Sequence, residues 1–268
     1  MILMPFAIVN GINLHYEIRG TGPRLLFIHG IGADLNNPMG LFNTPVPNHF
    51  TVLAFDPRGL GESDSPDGPC TMADMADDAA GLAAALGWDK YFVFGASMGG
   101  MVAQELALRY PSAVEKLVLG VTNAGGEVPG NMAIDKLDKM TSLEKLQLSD
   151  TRQDAVWAAA HPELVRQMEE QGRAAQAIMK SNPALMRGYA HQVNAVLKHN
   201  TSGRLNEIKI PTLVFGGRFD GSNPPDVSKA LAELIPGARY ELLESGHGSW
   251  YFDPLTWELI IDFLLDRE

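Results

Sequence analysis

The chain of 268 residues contains a single cysteine, Cys70, which cannot form an internal disulfide bond. Nothing in the composition therefore requires an oxidising compartment. Cys70 lies in a loop-like run without a nearby histidine, and we do not expect it to act as a catalytic thiol. The apolar start lacks both a basic leader and a small-residue cleavage site, so we expect a cytoplasmic protein.

Positive charge and long apolar runs are also scarce. Lysine and arginine number 21 against 32 acidic residues, which gives a formal net charge of -11. Nucleic acids and anionic membranes both bind basic surfaces, so we expect neither as a partner. No stretch approaches the length of a transmembrane helix. A small molecule is the expected partner, and the oligomeric state is left open.

Short apolar runs alternate with helical segments along most of the chain. The apolar start and the run Ile12–Tyr16 flank an Asn-Gly turn signal and predict a hairpin. Buried strands are predicted over Leu25–Ile28, Val52–Phe55, Tyr91–Phe94, Lys116–Leu119, Thr212–Phe215 and Arg239–Leu243. Helices are predicted over Thr71–Leu86, Met98–Tyr110, Pro224–Leu234 and Pro254–Leu265. This alternation predicts an α/β fold with a mostly parallel, doubly wound sheet.

The alternation stops between residues 124 and 204. This stretch is rich in Ala, Met, Glu, Gln and Lys, and its apolar residues recur at helical spacing. We therefore predict a helical insertion over 124–204 between two strands, with the α/β core formed by residues 1–123 and 205–268.

The segment Gly95-Ala96-Ser97-Met98-Gly99 fits the pattern G-x-S-x-G. The pattern alone is weak evidence, but here it follows a predicted strand and opens a predicted helix, which is the setting of a nucleophile elbow. Side chains at Gly95 or Gly99 would collide with the neighbouring strand or helix around so tight a turn. Ser97 is therefore the candidate nucleophile.

A serine hydroxyl needs a base, and the base needs a carboxylate that fixes its tautomer. His247 follows the last predicted strand and Asp220 follows Thr212–Phe215, so both lie at the carboxyl edge of the sheet. The order Ser, Asp, His is the one expected of such a fold. Asp226 is the rival acid, although it falls inside a predicted helix. The position after the preceding strand holds Asn123, which is not a carboxylate.

Two backbone N–H groups should stabilise the oxyanion that forms when serine attacks a carbonyl group. Met98 follows the nucleophile and provides the first. The turn His29-Gly30-Ile31-Gly32 provides the second through Ile31. We expect His29 to support this turn by bonding its backbone rather than to act as a catalytic group.

Together these motifs resemble the α/β-hydrolase superfamily, in the branch that holds esterases, lactonases and carbon–carbon bond hydrolases, and 3-oxoadipate enol-lactonases in particular. The resemblance rests on residues 29–32, the segment 56–63 (Asp-Pro-Arg-Gly-Leu-Gly-Glu-Ser), the elbow, residues 217–220 and residues 246–247. It implies that 56–63 is a structural loop beside the site and that the insertion is a lid. Haloalkane dehalogenases and epoxide hydrolases carry Asp where this chain has Ser97. Residues 36–39 depart from the family pattern, which commonly has an aromatic residue there.

The leading hypothesis is hydrolysis of a carboxylic ester or lactone through an acyl-enzyme, without a cofactor or metal. A carbon–carbon bond hydrolase and a cofactor-free perhydrolase are the alternatives within the fold, and a non-catalytic ligand-binding protein is the alternative outside enzymes. Apolar residues of the insertion should line the substrate pocket. The candidates are Met132, Met140, Trp157, Met179 and Met186.

Overall fold

The computed structural model describes residues 5–36, 40–126, 130, 134–248, 251 and 253–267. Its strands are β1 (Phe6–Val9), β2 (Ile12–Arg19), β3 (Arg24–Ile28), β4 (Thr51–Phe55), β5 (Tyr91–Ala96), β6 (Val114–Gly120), β7 (Thr212–Gly217) and β8 (Arg239–Leu243). Its α-helices are α1 (Met72–Ala85), α2 (Met98–Arg109), α3 (Ser142–Ser149), α4 (Ala155–Ala160), α5 (Pro162–Ser181), α6 (Pro183–Lys198), α7 (Pro225–Glu233) and α8 (Pro254–Leu264). Every predicted strand and helix is present, with ends shifted by up to three residues.

The strands form one sheet in the order β1-β2-β4-β3-β5-β6-β7-β8. The predicted hairpin pairs β1 with β2, and β2 pairs antiparallel with β4. All the remaining pairs are parallel. The prediction of a mostly parallel sheet is therefore confirmed, and the carboxyl ends of β3, β5, β6, β7 and β8 lie along one edge.

Alternate residues of the central strands face two separate apolar layers. In β3, Leu26 and Ile28 pack with residues of α1, α2 and α7. Leu25 and Phe27 of the same strand pack on the other face with residues of α8. Burial on both faces explains why these strands have near-continuous apolar sequences, as a doubly wound sheet requires.

Between β6 and β7 the chain forms α3 to α6, preceded by a short 3-10 helix over Ile134–Lys139. Gly125 and Asn200 form an isolated antiparallel bridge, so the two ends of this stretch lie side by side. In the parts of the chain described above, no helix is long and apolar enough to cross a membrane.

Candidate active site

Ser97 lies at a sharp turn between β5 and α2. Its backbone has φ 55° and ψ −120°, a conformation that L-residues rarely adopt. A Cβ atom on Gly95 would lie 2.3 Å from the carbonyl oxygen of Gly99, and one on Gly99 would lie 2.0 Å from that of Ile28. Only glycine fits at either position, as the motif predicts.

Two hydrogen bonds to the end of β6 hold this strained residue. The N–H of Ser97 donates to the carbonyl oxygen of Gly120 at 2.9 Å. The hydroxyl of Thr122 donates to the carbonyl oxygen of Ser97 at 2.7 Å. The surrounding strands therefore fix the conformation that the residue would not adopt alone.

The predicted nucleophile, base and acid lie in hydrogen-bonding contact, although they come from three separate loops. Nε2 of His247 is 3.1 Å from Oγ of Ser97, and Nδ1 of His247 is 2.8 Å from Oδ2 of Asp220. Asp220 is buried, whereas the rival acid Asp226 is exposed in the first turn of α7. This geometry allows His247 to take the proton of Ser97 at Nε2 while Nδ1–H donates to the carboxylate.

The carboxylate of Asp220 is anchored by residues that the sequence analysis did not identify. Its Oδ1 accepts from the N–H groups of Ser222 and Asn223, both at 2.8 Å. Nδ2 of Asn223 in turn donates to the carbonyl oxygen of Val121, just beyond β6, at 2.8 Å. An asparagine shortly after an aspartate is only a weak indication, in the sequence, that it anchors the carboxylate. No sequence pattern indicates the long-range bond from Asn223 to Val121.

The loop of His247 is held from the helical stretch between β6 and β7. The N–H of His247 donates to the carbonyl oxygen of Ser149, at the end of α3, at 2.6 Å. A Cβ atom on Gly246 would lie 2.4 Å from the same oxygen. Glycine is thus required before the histidine because α3 approaches so closely.

The two expected oxyanion donors belong to segments that adjoin Ser97. Met98 is the first residue of α2, where helix N–H groups have no intrahelical acceptor. Gly30 adjoins the serine, since a Cβ atom placed on it would lie 3.5 Å from Cβ of Ser97. Within the described residues, the N–H groups of Ile31 and Met98 donate to no protein acceptor. They remain the expected oxyanion donors.

His29 is buried beside this loop, with its ring edge-on to Phe27 at 4.8 Å between centroids. Burial lowers the pKa of His29 to about 4, against the opposing effect of the Asp56 carboxylate. We expected the ring to bond the backbone of the loop, but in the described part of the chain its Nε2 has no hydrogen-bond partner. The His29 ring therefore packs against the loop in its neutral form and makes no hydrogen bond through Nε2 to any described residue.

His199, at the end of α6, is a second buried histidine. Burial, with a smaller effect of Arg204, lowers the pKa of His199 to about 4. Unfolded histidine binds a proton near pH 6.5, so the stability that the neutral ring confers is complete above that pH and is lost as the pH falls towards 4. When the pH falls from 7.5 to 4.5, the unfolding free energy should drop by about 2–3 kcal/mol less in His199→Gln than in the wild type. Urea unfolding at the two pH values measures this difference.

The matched control is His161→Gln, which changes an exposed histidine of the same helical stretch. It should follow the wild type at both pH values. Equal acid losses in all three proteins would contradict the assignment of a buried neutral ring to His199.

The five apolar residues expected to line the pocket are spread over the helices between β6 and β7. Met132 lies outside the described residues. Trp157 is half-buried and stacks on His161 at 4.7 Å, and Met179 is half-buried in α5. Met140 borders an open groove of about 490 Å³ that also includes Asp220 and Arg218. Met186 is 47% exposed, so much of its side chain faces solvent.

Comparison with known proteins identifies the family of this chain. A family model described as alpha/beta hydrolase fold matches residues 23–254. The chain therefore belongs to the alpha/beta hydrolase family, and its class is that of hydrolases.

Individual relatives have names that refer to different substrates. The chain is 31% identical to a poly(3-hydroxyalkanoate) depolymerase of Ectopseudomonas oleovorans, over 83% of this chain and 77% of the relative. It is 29% identical to a proline iminopeptidase of Pestalotiopsis fici, over 92% and 93% of the two chains. The crystal structure of an enol-lactonase from Burkholderia xenovorans superposes with a TM-score of 0.76, at 27% identity, over 97% of this chain and all (100%) of the other.

Proposed function

We propose that the protein is a serine hydrolase that cleaves a carboxylic ester or lactone of a small, partly apolar substrate. The observation that carries the proposal is the continuous hydrogen-bonded chain from Ser97 through His247 to Asp220. A non-catalytic binding protein would have no use for a serine held in a strained turn against a histidine and a buried carboxylate.

The chemistry follows from the positions of the three side chains. His247 accepts the proton of Ser97 at Nε2 as Oγ attacks the substrate carbonyl, and the N–H groups of Ile31 and Met98 bind the resulting oxyanion. His247 then protonates the leaving alcohol. Water attacks the acyl-enzyme with His247 again as base, and Ser97 is regenerated.

Relatives support an ester or lactone as the substrate. A depolymerase named for a poly(3-hydroxyalkanoate) and an enol-lactonase are both similar over most of the chain. The test is a panel of short-chain p-nitrophenyl esters, lactones and vinylogous diketones. Turnover of the esters or lactones supports the proposal. Turnover of the diketones alone would favour a carbon–carbon bond hydrolase. Formation of a peracid from acetate and added hydrogen peroxide, without ester turnover, would favour a perhydrolase, and no turnover at all would favour a binding protein.

We also propose that the stretch 124–204 forms a lid that selects the substrate. This stretch contacts the loops of His247 and Asp220 and the expected oxyanion loop. The end of α3 bonds the His247 backbone, and the N–H of Thr151 donates to the carbonyl oxygen of Phe219, next to Asp220, at 2.8 Å. Gln192 of α6 accepts from the N–H of Gly32 in the oxyanion loop at 2.9 Å. Helices in these contacts must border any substrate that reaches Ser97.

Removing bulk from the lid should therefore change which ester is preferred. We expect Trp157→Ala and Met179→Ala to shift the ratio of kcat/KM for long over short acyl chains by about tenfold, because one methylene is worth that much in an apolar pocket. The rate with p-nitrophenyl acetate, whose acetyl group is too short to reach these two side chains, should change by less than about threefold. Steady-state kinetics over a series of acyl lengths measures both quantities.

Met168→Ala is the matched control, because it makes the same change at an exposed position of α5. It should leave the acyl preference unaltered. If the two lid variants also keep the wild-type preference, the lid does not select the substrate.

A further inference from the structure

Helix α6 is seated directly on the core beside the candidate oxyanion loop. A Cβ atom on Gly188 would lie 2.0 Å from the carbonyl oxygen of Gly59, so the two backbones touch without side chains between them. A Cβ atom on Gly32 would lie 3.2 Å from the ring of Tyr189. One turn further along, Gln192 is completely buried and its Oε1 accepts from the N–H of Gly32 at 2.9 Å.

The loop that Gln192 contacts is a tight turn over residues 30–33. The N–H of Ala33 donates to the carbonyl oxygen of Gly30, and Gly32 has φ 71°, as the third position of a type II turn requires. The closing bond is 3.3 Å long, just beyond the usual range of about 2.7–3.2 Å for N–H···O bonds, and is therefore weak. The middle peptide of the turn therefore depends on a second restraint, and Gln192 supplies it by binding the N–H of that peptide.

The turn fixes the direction of the expected oxyanion donor. In a trans peptide the N–H and the preceding C=O point in opposite directions. Because the carbonyl group of Gly30 is turned towards Ala33, the N–H of Ile31 points away from the closed side of the turn. The middle peptide begins at the carbonyl carbon of Ile31, so the Ile31 backbone is held through Gly30 on one side and through the bond of Gln192 to Gly32 on the other. Without Gln192, only the long closing bond would fix the direction of the Ile31 N–H.

The amide Nε2 of Gln192 indicates that this side chain does more than fill space in the core. With Oε1 bound to Gly32, its Nε2 is buried and has no partner in the described part of the chain. A buried donor without an acceptor is destabilising, and methionine would fill the same space without that cost. The amide can accept a hydrogen bond from Gly32, and an apolar side chain cannot.

We propose that Gln192 is a positioning residue that orients the oxyanion donor Ile31 from the helix above it. The inference rests on the proposed function, since it assigns Gln192 to the same site. Charge on the carbonyl oxygen develops in the transition state, so a misdirected donor weakens binding of the transition state more than binding of the substrate. Loss of Gln192 should therefore lower kcat and leave KM nearly unchanged, whatever the acyl chain.

The experiment compares Gln192→Met, which keeps the length of the side chain and removes the acceptor, with Asn194→Met at an exposed position of the same helix. Kinetics with p-nitrophenyl acetate and butyrate are combined with inhibition by a trifluoromethyl ketone, whose serine adduct carries an oxyanion. We expect Gln192→Met to lower kcat by about 10- to 100-fold on both esters, somewhat less than removal of an oxyanion donor. The inhibition constant should rise by the same factor as kcat/KM falls. Asn194→Met should match the wild type.

A second variant, Gln192→Asn, keeps an amide but is one methylene too short to reach Gly32. It should lose as much activity as Gln192→Met, and it carries the test if the methionine variant does not fold. Values of kcat and inhibitor affinity within about twofold of Asn194→Met would overturn the inference, as would a change in KM alone. Ser97→Ala distinguishes failure of the proposed function from failure of the role of Gln192. If Ser97→Ala remains active, the proposed function is wrong. If Ser97→Ala is inactive and Gln192→Asn is fully active, only the role of Gln192 is wrong.

Discussion

Ser97→Ala is expected to lower kcat for p-nitrophenyl acetate by about 10⁶-fold, because members of a triad act as a unit and the acyl-enzyme cannot form without the hydroxyl. Removing one oxygen from a residue that is already 8% exposed leaves the packing intact, so the variant should fold normally. Kinetics and the melting temperature together measure the effect. A fluorophosphonate should label the wild type at Ser97 and should not label the variant.

Ser228→Ala is the matched control, because Ser228 is also buried but lies on α7, where its hydroxyl bonds the carbonyl oxygen of Pro225. It should retain activity and labelling. Labelling of Ser97→Ala at another serine, with turnover preserved, would move the nucleophile to that residue.

Asp220→Asn should lower kcat by about 10⁴-fold, as replacement of the acid does in other triads. The reason lies in the anchoring of Asp220. Its Oδ1 accepts from two N–H groups, so the amide oxygen of asparagine must take that place and its NH₂ must occupy the place of Oδ2. The NH₂ then donates to Nδ1 of His247, which forces the proton onto Nε2, where it blocks the transfer from Ser97.

Asp226→Asn makes the same change at the rival position, where the side chain is exposed in α7. Its kcat should lie within about twofold of the wild type. The reverse ranking of the two variants, measured with the same ester, would assign the acid to Asp226.

Strand positions could be predicted from the sequence because burial on both faces demands uninterrupted apolar residues. The ends of strands could not be predicted equally well. β5 continues through Gly95 and Ala96, and β7 through Gly216 and Gly217, where small residues carry no strand propensity. Close backbone approach excludes a side chain at two of these positions, since a Cβ atom on Gly95 would lie 2.3 Å from the carbonyl oxygen of Gly99 and one on Gly217 would lie 2.4 Å from that of Ser245.

The candidate triad could be predicted because each member follows a recognisable strand. The residues that support it could not. Gln192 contacts Gly32 across 160 positions of sequence, and Asn223 contacts Val121 across 102. Such bonds depend on how the helices between β6 and β7 are placed, and neither hydrophobic periodicity nor a local motif encodes that placement. A glutamine in an amphipathic helix looks the same whether it faces solvent or a loop of the core.

The paired ends of the stretch between β6 and β7 have a consequence for how such enzymes diversify. Gly125 bridges Asn200, and the N–H of Thr201 donates to the carbonyl oxygen of Ala124 at 2.9 Å, so the chain departs from the core and returns at one tied point. Once the ends are joined, doubling the length of a flexible connection costs only about 0.6 kcal/mol. We therefore expect that a helical module of another length can replace this one while the sheet still folds. A grafted module would have to reproduce the anchors of this stretch, among them a glycine against Gly59 and acceptors for the N–H groups of Gly32 and His247.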